Sequence, residues 1–435
     1  MKITQCETNK NKNLYFNTST IEPKKYSSKI QNQVINIYPN VTYQNFIGFG
    51  GAITEASGYC YSLLPDNKKQ EFLKSYFTDL NYHLCRLTIG SSDFSLNSYS
   101  YANKHDLSDF SIEKDLKYVI PLIKDALKIN PNLYFLASPW SPPKFMKNTK
   151  ILSLGGKLLD KYKQTYAEYL VKYINAYKEL GINIDYITVQ NEPNAIQLWE
   201  SCLYSAEDEI DFITNYLYPT FKKNEINTKI IIYDHNKEKL FTRALEEFSN
   251  PSMKDAASGI AFHWYSGNHF ENISLCRETF PDKLLFHTEG CFGFTPENHY
   301  ANEYAHDIVE DLNSGINGYT DWNIILDNKG GPNHTKNFCN SPIMLNKENN
   351  DFVKNLSYYY IGHFSKFIKP GAVRLGFSRY LGDIKMTAFK NTDNSIAIVM
   401  LNREHYNIDF NLCMENITFK DTLEQQSIIS YLIEQ

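Results

Sequence analysis

Two short apolar runs each end on a glutamate. Tyr186-Ile187-Thr188-Val189-Gln190 delivers Asn191 and Glu192 just before Pro193, which cannot continue a strand ladder. Much farther along, Lys283-Leu284-Leu285-Phe286-His287-Thr288 delivers Glu289 just before Gly290. A carboxylic acid at the end of a buried strand is held on a rigid support. Two such acids are the equipment for cleaving a glycosidic bond: one protonates the leaving oxygen, and the other attacks the sugar or activates water. Alone, either acid also fits an ordinary turn. The weight therefore falls on the elements that position them.

From about residue 45, short apolar strands alternate with amphipathic helical stretches. The candidate strands are 45–52, 84–90, 133–140, 186–192, 229–235, 259–265, 283–290 and 318–325. Between them, Tyr162, Tyr166, Leu170, Tyr173, Tyr177 and Leu180 mark one face of a helix that stops at Gly181. Ser205 caps another helix, with Asp208 as a shorter form of the capping-box acid. Eight alternations count out to a (β/α)8 TIM barrel over residues 45–367. A doubly wound open sheet is disfavoured, because no G-x-G-x-x-G loop follows the first strand. Gly48-Phe49-Gly50-Gly51 lacks the Lys-Ser/Thr of a phosphate loop and reads as a tight strand exit.

After a helix at 358–367 and Pro370-Gly371 come strands alone. The stretches 385–390 and 395–402 flank Asn391-Thr392-Asp393-Asn394, a hairpin signal. The strand-like stretch 33–38 has no barrel partner. Residues 1–44 and 368–435 are therefore assigned to an appended all-β sandwich built from both chain termini.

In such a barrel the active site forms where the strands end, at their C-terminal face. Those ends carry Arg86 and Asp93, Trp140, Asn191 with Glu192, His263-Trp264-Tyr265, Glu289, and Asp321-Trp322-Asn323. This is a sugar-binding set: aromatic faces stack on a pyranose, and charged groups hydrogen-bond its hydroxyls. A separation near ~5 Å between the two acids means retention through a covalent glycosyl-enzyme, and ~6.5–9.5 Å means inversion. Beside neutral Asn191, Glu192 is expected to keep a raised pKa and to serve as acid and then base. Glu289 is expected to stay ionised with help from Arg86. Pro139 and Asp321 place Trp140 and Trp322 in loop mouths rather than continuous core. The plainer readings are Asp93 as a helix cap, Arg86 as the partner of any barrel acid, and His263 as a buried structural hydrogen bonder. His263 and His269 fit no zinc spacing, and two carboxylates suffice for the reaction, so neither metal nor organic cofactor is expected.

Composition narrows the partners. Of 435 residues 42% are hydrophobic and 21% charged, with a formal net charge of −5, which offers nothing to nucleic acid or to an anionic membrane. The eight cysteines form no CxxC and read as reduced thiols. Residues 1–10 have no apolar signal region, and no stretch is long enough to span a membrane, so a cytoplasmic location is expected.

The ordered runs Gly48-Phe49-Gly50-Gly51-Ala52, Ser91-Ser92-Asp93-Phe94-Ser95, Ala137-Ser138-Pro139-Trp140-Ser141-Pro142-Pro143, Asn191-Glu192-Pro193, His263-Trp264-Tyr265, Thr320-Asp321-Trp322-Asn323, Gly330-Gly331-Pro332-Asn333 and Gly362-His363-Phe364-Ser365-Lys366-Phe367 add a likeness. Through them the chain resembles glycoside hydrolase family 30, within the group that contains the glucosylceramidases. The resemblance implies a retaining β-glycosidase with Glu192 as acid/base and Glu289 as nucleophile. It further implies that Asn191 contacts the 2-hydroxyl and that Asp93, Trp140 and Trp322 line the glucose subsite, with Asn337 at its rim. Arg86 and Tyr265 would orient the nucleophile, and His263 would support them. Two departures lie on the aglycone side: a shorter loop at 194–202, containing Trp199, and Phe145 in place of a second Trp. The expected activity is therefore a retaining exo-β-glycosidase on β-glucosides, with a glycolipid such as glucosylceramide as one substrate. The alternatives are an endo-β-1,6-glucanase, a β-xylosidase or β-fucosidase, a transglycosidase, or a sugar-binding protein without catalysis, though the last is expected to lack one glutamate.

Overall fold

A computed structural model describes residues 2–27, 30–293 and 300–434. Eight parallel strands close into a barrel in sequence order: β1 (Gly48–Ile53), β2 (Leu84–Ile89), β3 (Tyr134–Pro139), β4 (Tyr186–Thr188), β5 (Lys229–Asn236), β6 (Gly259–His263), β7 (Leu284–Glu289) and β8 (Gly318–Asp321). The runs are apolar throughout because both faces are covered. Leu84, Leu136, Tyr186, Ile231, Ala261 and Phe286 plug the barrel's N-terminal end, while the outer faces join the helices in one large core.

The glycine run read as a strand exit lies inside β1 instead. A Cβ on Gly50 would fall 1.4 Å from the Leu84 carbonyl oxygen, so the glycine is required by the close approach of β1 to β2. The helix marked by tyrosines forms over Lys163–Glu179 and buries Tyr166, Leu170, Tyr173 and Tyr177. The helix Ala206–Phe212 has the expected capping box between Ser205 and Asp208.

Several strands stop short of their apolar runs. β4 ends at Thr188, and the chain then leaves the ladder, with Glu192 in the left-handed region at φ 50°. β8 ends at Asp321, and Asn323 follows at φ 63°. In both places the backbone turns away from the sheet to aim side chains over the mouth.

Ten further strands form one hydrogen-bonded sheet wrapped around a second core, that of the β-sandwich. Lys2–Asn9 pairs antiparallel with Ser427–Glu434, so both chain ends lie side by side. Val34–Asn45 pairs with Val373–Arg379, and the expected hairpin joins Ile384–Lys390 to Ile396–Asn402. The helix Leu356–Ser365 ties the barrel to both ends of the chain: the buried His363 ring bonds Ser430 Oγ and Thr8 Oγ1, each at 2.8 Å. All eight cysteines are free thiols. Among the described residues, no helix is long and apolar enough to cross a membrane.

Candidate active site

The site is organised by a buried cation. Arg86, on β2, is fully enclosed and spends its guanidinium in three directions. Nη1 donates to Glu289 Oε2 at 2.5 Å, and Nη2 donates to Asn191 Oδ1 and Asp234 Oδ2, both at 2.8 Å. Asp234 is a hub in its own right. It also accepts from Ser138 and Thr188 hydroxyls at 2.8 Å, from the Thr288 hydroxyl at 2.6 Å, and from His263 Nε2 at 3.1 Å. Burial would raise its carboxyl, but the Arg86 charge and these donors hold it far below the usual carboxylate range.

The two strand-end glutamates face one another across this hub. A carboxylate oxygen of each, together with a ring nitrogen of His263, lies within 4.8 Å of the others. Glu289, besides Arg86, accepts from the Tyr265 hydroxyl at 3.0 Å. Glu192 accepts from Gln197 Nε2 at 3.1 Å and faces His263 Nδ1 at 3.5 Å. The cluster thus sets two cationic groups, Arg86 and His263, among three carboxyls. Burial lowers the proton affinity of His263, yet the charges of Glu289, Asp234 and Glu192 lift it to about 9. That imidazolium corrects the expectation for Glu192: burial pushes its carboxyl up, but His263 pulls it down to about 2. Glu289 is raised by burial, with His263 and Arg86 pulling back and the Glu192 charge adding to the rise.

Above the hub opens a cavity of 360 Å³ lined by Asp93, Trp140, Asn191, Glu192, Glu289, Trp322 and Asn337 among others. The structure therefore brings all of these expected residues together. Trp140 and Trp322 are not free stacking platforms. Their rings stack on each other at 5.3 Å, Arg86 lies 5.0 Å from one and 5.5 Å from the other, and only 1% and 2% of the two residues is exposed. Asp93 Oδ2 accepts from Asn337 Nδ2 at 2.9 Å, while buried Oδ1 has no donor among the described residues. Asp321, also at a strand end, lies away from this cavity, and burial pushes its carboxyl far up.

Three residues that the sequence reading left out also belong here: Asp234, His235 and Gln197. Asp234 and His235 end the Ile230-Ile231-Ile232 run just as the glutamates end theirs, so the same strand-end rule would have found them. What the rule cannot give is their aim. β5 carries a bulge against β6, with Tyr233 at φ 72° and Asp234 at φ 59°. The bulge turns Asp234 under Arg86 and brings His235 to the cavity wall.

Two clusters have metal-ligand donor types: Glu192–His263–Glu289, and His287–Asp307–Asp311 behind β7. A protein cation is already seated in each. Arg86 bonds Glu289, and Lys237 Nζ lies 2.6 Å from Asp307 and 2.8 Å from Asp311.

The model of the glycosyl hydrolase family 30 TIM-barrel domain matches residues 46–368, and that of the family's β-sandwich domain matches residues 371–431. The chain belongs to glycosyl hydrolase family 30. Family 30 membership makes it a glycoside hydrolase, and its relatives include glucosylceramidases and endo-β-1,6-glucanases. The lysosomal acid glucosylceramidase of Mus musculus is 32% identical over 427 residues, covering 92% of this chain and 82% of that enzyme. Among solved structures, SrfJ from Salmonella typhimurium superposes with a TM-score of 0.98 at 32% identity over the whole of both chains. The endo-β1,6-glucanase BT3312 superposes at 0.93 with 28% identity, covering 100% of this chain and 99% of that one.

Proposed function

We propose that this family 30 enzyme is a retaining exo-β-glycosidase acting on β-glucosides, with Glu289 as nucleophile and Glu192 as general acid and then base. The observation that carries this reading is the approach of their carboxylate oxygens to within 4.8 Å. Direct attack needs a short spacing near ~5 Å, whereas inversion needs ~6.5–9.5 Å to seat a water. Arg86 and Tyr265 each hold one oxygen of Glu289, which fixes its direction. Asn191 turns its carbonyl to Arg86 and keeps its amide N–H for the sugar's 2-hydroxyl.

The proton for the leaving oxygen is held by Glu192 and His263 jointly. With Nε2–H given to Asp234, His263 Nδ1 faces Glu192 at 3.5 Å, and passing its proton there leaves a neutral imidazole and a protonated Glu192. A sugar filling the cavity expels water and favours this uncharged pair over carboxylate and imidazolium. Glu289 then bonds the anomeric carbon as the aglycone leaves with the Glu192 proton. In the second step Glu192 takes a proton from water, which displaces Glu289 and leaves the configuration retained.

The bond between Asp93 and Asn337 joins the loops after β2 and β8 and walls one end of the cavity, which supports action at a chain end. The likeness to a glucosylceramidase supports glucosylceramide as one substrate. The likeness to an endo-β1,6-glucanase over the whole chain favours a second reading, cleavage within a β-1,6-glucan.

The test is release of aryl alcohol from a panel of aryl β-glycosides by wild type and Glu289→Ala, with and without azide. The expected result is glucoside cleavage lost in the variant and restored by azide as the α-glucosyl azide. First release of the α-sugar by wild type would make the enzyme inverting, a β-configured azide would exchange the roles of Glu289 and Glu192, and a wild type inactive on aryl glucosides but active within β-1,6-glucan would replace this reading by the second.

A further inference from the structure

The cavity has two differently built sides. Asp93, Trp140, Trp322 and Asn337 hold one of them. Beyond Glu192 the wall is made by His235 and Asn236 from the end of β5 and by Gln197 from the loop after β4. Gln197 spends its amide on Glu192, and Asn236 Oδ1 accepts from the Tyr265 amide at 3.1 Å. His235 is different. It is only 8% exposed, and its buried Nδ1 has no hydrogen-bond partner among the described residues. A buried ring nitrogen without a partner is costly, because it has lost water and gained nothing. It is also held there at the expense of backbone strain, since two successive non-glycine residues before it, Tyr233 and Asp234, adopt positive φ. Burial keeps the ring neutral, so it offers one donor and one acceptor, the complement of a hydroxyl group.

We propose that His235 contacts the leaving group of the substrate, hydrogen-bonding an aglycone hydroxyl, so that the site selects β-glucosides whose aglycone is a second sugar unit. This rests on the glycosidase reading and adds the class of aglycone. The oxygen that receives the proton lies beside Glu192, and the atoms it takes with it must lie against the His235 side of the cavity. A polar subsite here discriminates by penalty as much as by attraction. An aglycone without the hydroxyl leaves the imidazole buried and unpaired.

The experiment compares wild type, His235→Leu and His235→Gln on an aryl β-glucoside and on β-linked diglucosides of each linkage. In His235→Leu, kcat/KM for the best diglucoside is expected to fall about 10- to 100-fold, mostly through KM, while the aryl glucoside, freed of the unpaired imidazole, is cleaved at least as well as by wild type. His235→Gln, which keeps a donor and an acceptor, is expected to recover part of the loss. The retained aryl activity doubles as the check that the variants fold. Equal losses on both substrates would make His235 a mere support of Glu192 and overturn the proposal. So would no loss on diglucosides, or a wild type that cleaves aryl glucosides but no diglucoside. A wild type inactive on every glucoside would instead sink the glycosidase reading itself.

Discussion

Arg86 at the barrel mouth and Lys237 behind β7 are each a buried cation between two carboxylates with an imidazole alongside. Lys237 bonds Asp307 and Asp311, and His287 Nδ1 lies 2.7 Å from Asp311. Both clusters displace pKa values strongly. Burial pulls His287 down to about 3 and lifts Asp307 to about 6, as large as the displacements around Arg86. Perturbed titration therefore does not tell a working site from a structural one. Two other properties do. The mouth cluster holds a third carboxyl, Glu192, and turns both glutamates to a walled cavity. The Lys237 cluster is sealed apart from Asp307, which borders a groove on the outer surface.

Substitutions can test this contrast. The largest effect is expected for Glu289→Gln, with kcat/KM down by on the order of 10⁴-fold or more at unchanged thermal stability. A loss below tenfold would remove Glu289 from the chemistry. Lys237→Met should do the reverse. Unfolding free energy in urea is expected to fall by about 3–5 kcal/mol, because two buried carboxylates lose their cation, while kcat at low temperature stays within a few-fold. A well-folded but inactive Lys237→Met would erase the distinction between the clusters.

Next in size is a pH effect at His263. Its proton is held at about 9 in the fold against 6.5 in the unfolded chain. The stabilisation is complete below pH 6.5 and fades as pH rises to about 9. Wild type is therefore expected to exceed His263→Asn in stability by up to about 3 kcal/mol at pH 6, with the gap closing by pH 9. A gap independent of pH would mean that His263 is neutral in the fold. The smallest effect is that of Arg86→Lys, which keeps the charge but loses the fork spanning Glu289, Asn191 and Asp234. A drop of about 10- to 100-fold in kcat is expected. Full activity would show that charge alone suffices.

The barrel was legible because each strand, buried on both faces, reads as an apolar run, and several runs lead to a chemically distinctive residue. Glu192 and Glu289 were found in that way, whereas Arg86, expected at a strand end, lies inside β2 and Asp93 lies in the loop beyond it. The direction of the strand ends was not legible, because Glu192, Tyr233 and Asp234 adopt positive φ without a glycine to announce it. The low proton affinity of Glu192 was hidden for a related reason. It depends on His263, which is brought close only by closure of the barrel. The strand Leu14–Ile21 gave little signal either, since it is largely exposed and Asn17-Thr18-Ser19-Thr20 are all polar.

The pairing of Lys2–Asn9 with Ser427–Glu434 has a consequence for biosynthesis. The hairpin of Lys2–Asn9 with Leu14–Ile21 can form as it emerges from the ribosome, but its inner edge must wait for Ser427–Glu434 to be made. All eight barrel strands are translated in that interval, so the catalytic half can fold while an unpaired edge stays exposed. A chaperone that shields strand edges would thus matter most to Lys2–Asn9, the earlier-made partner of this pair.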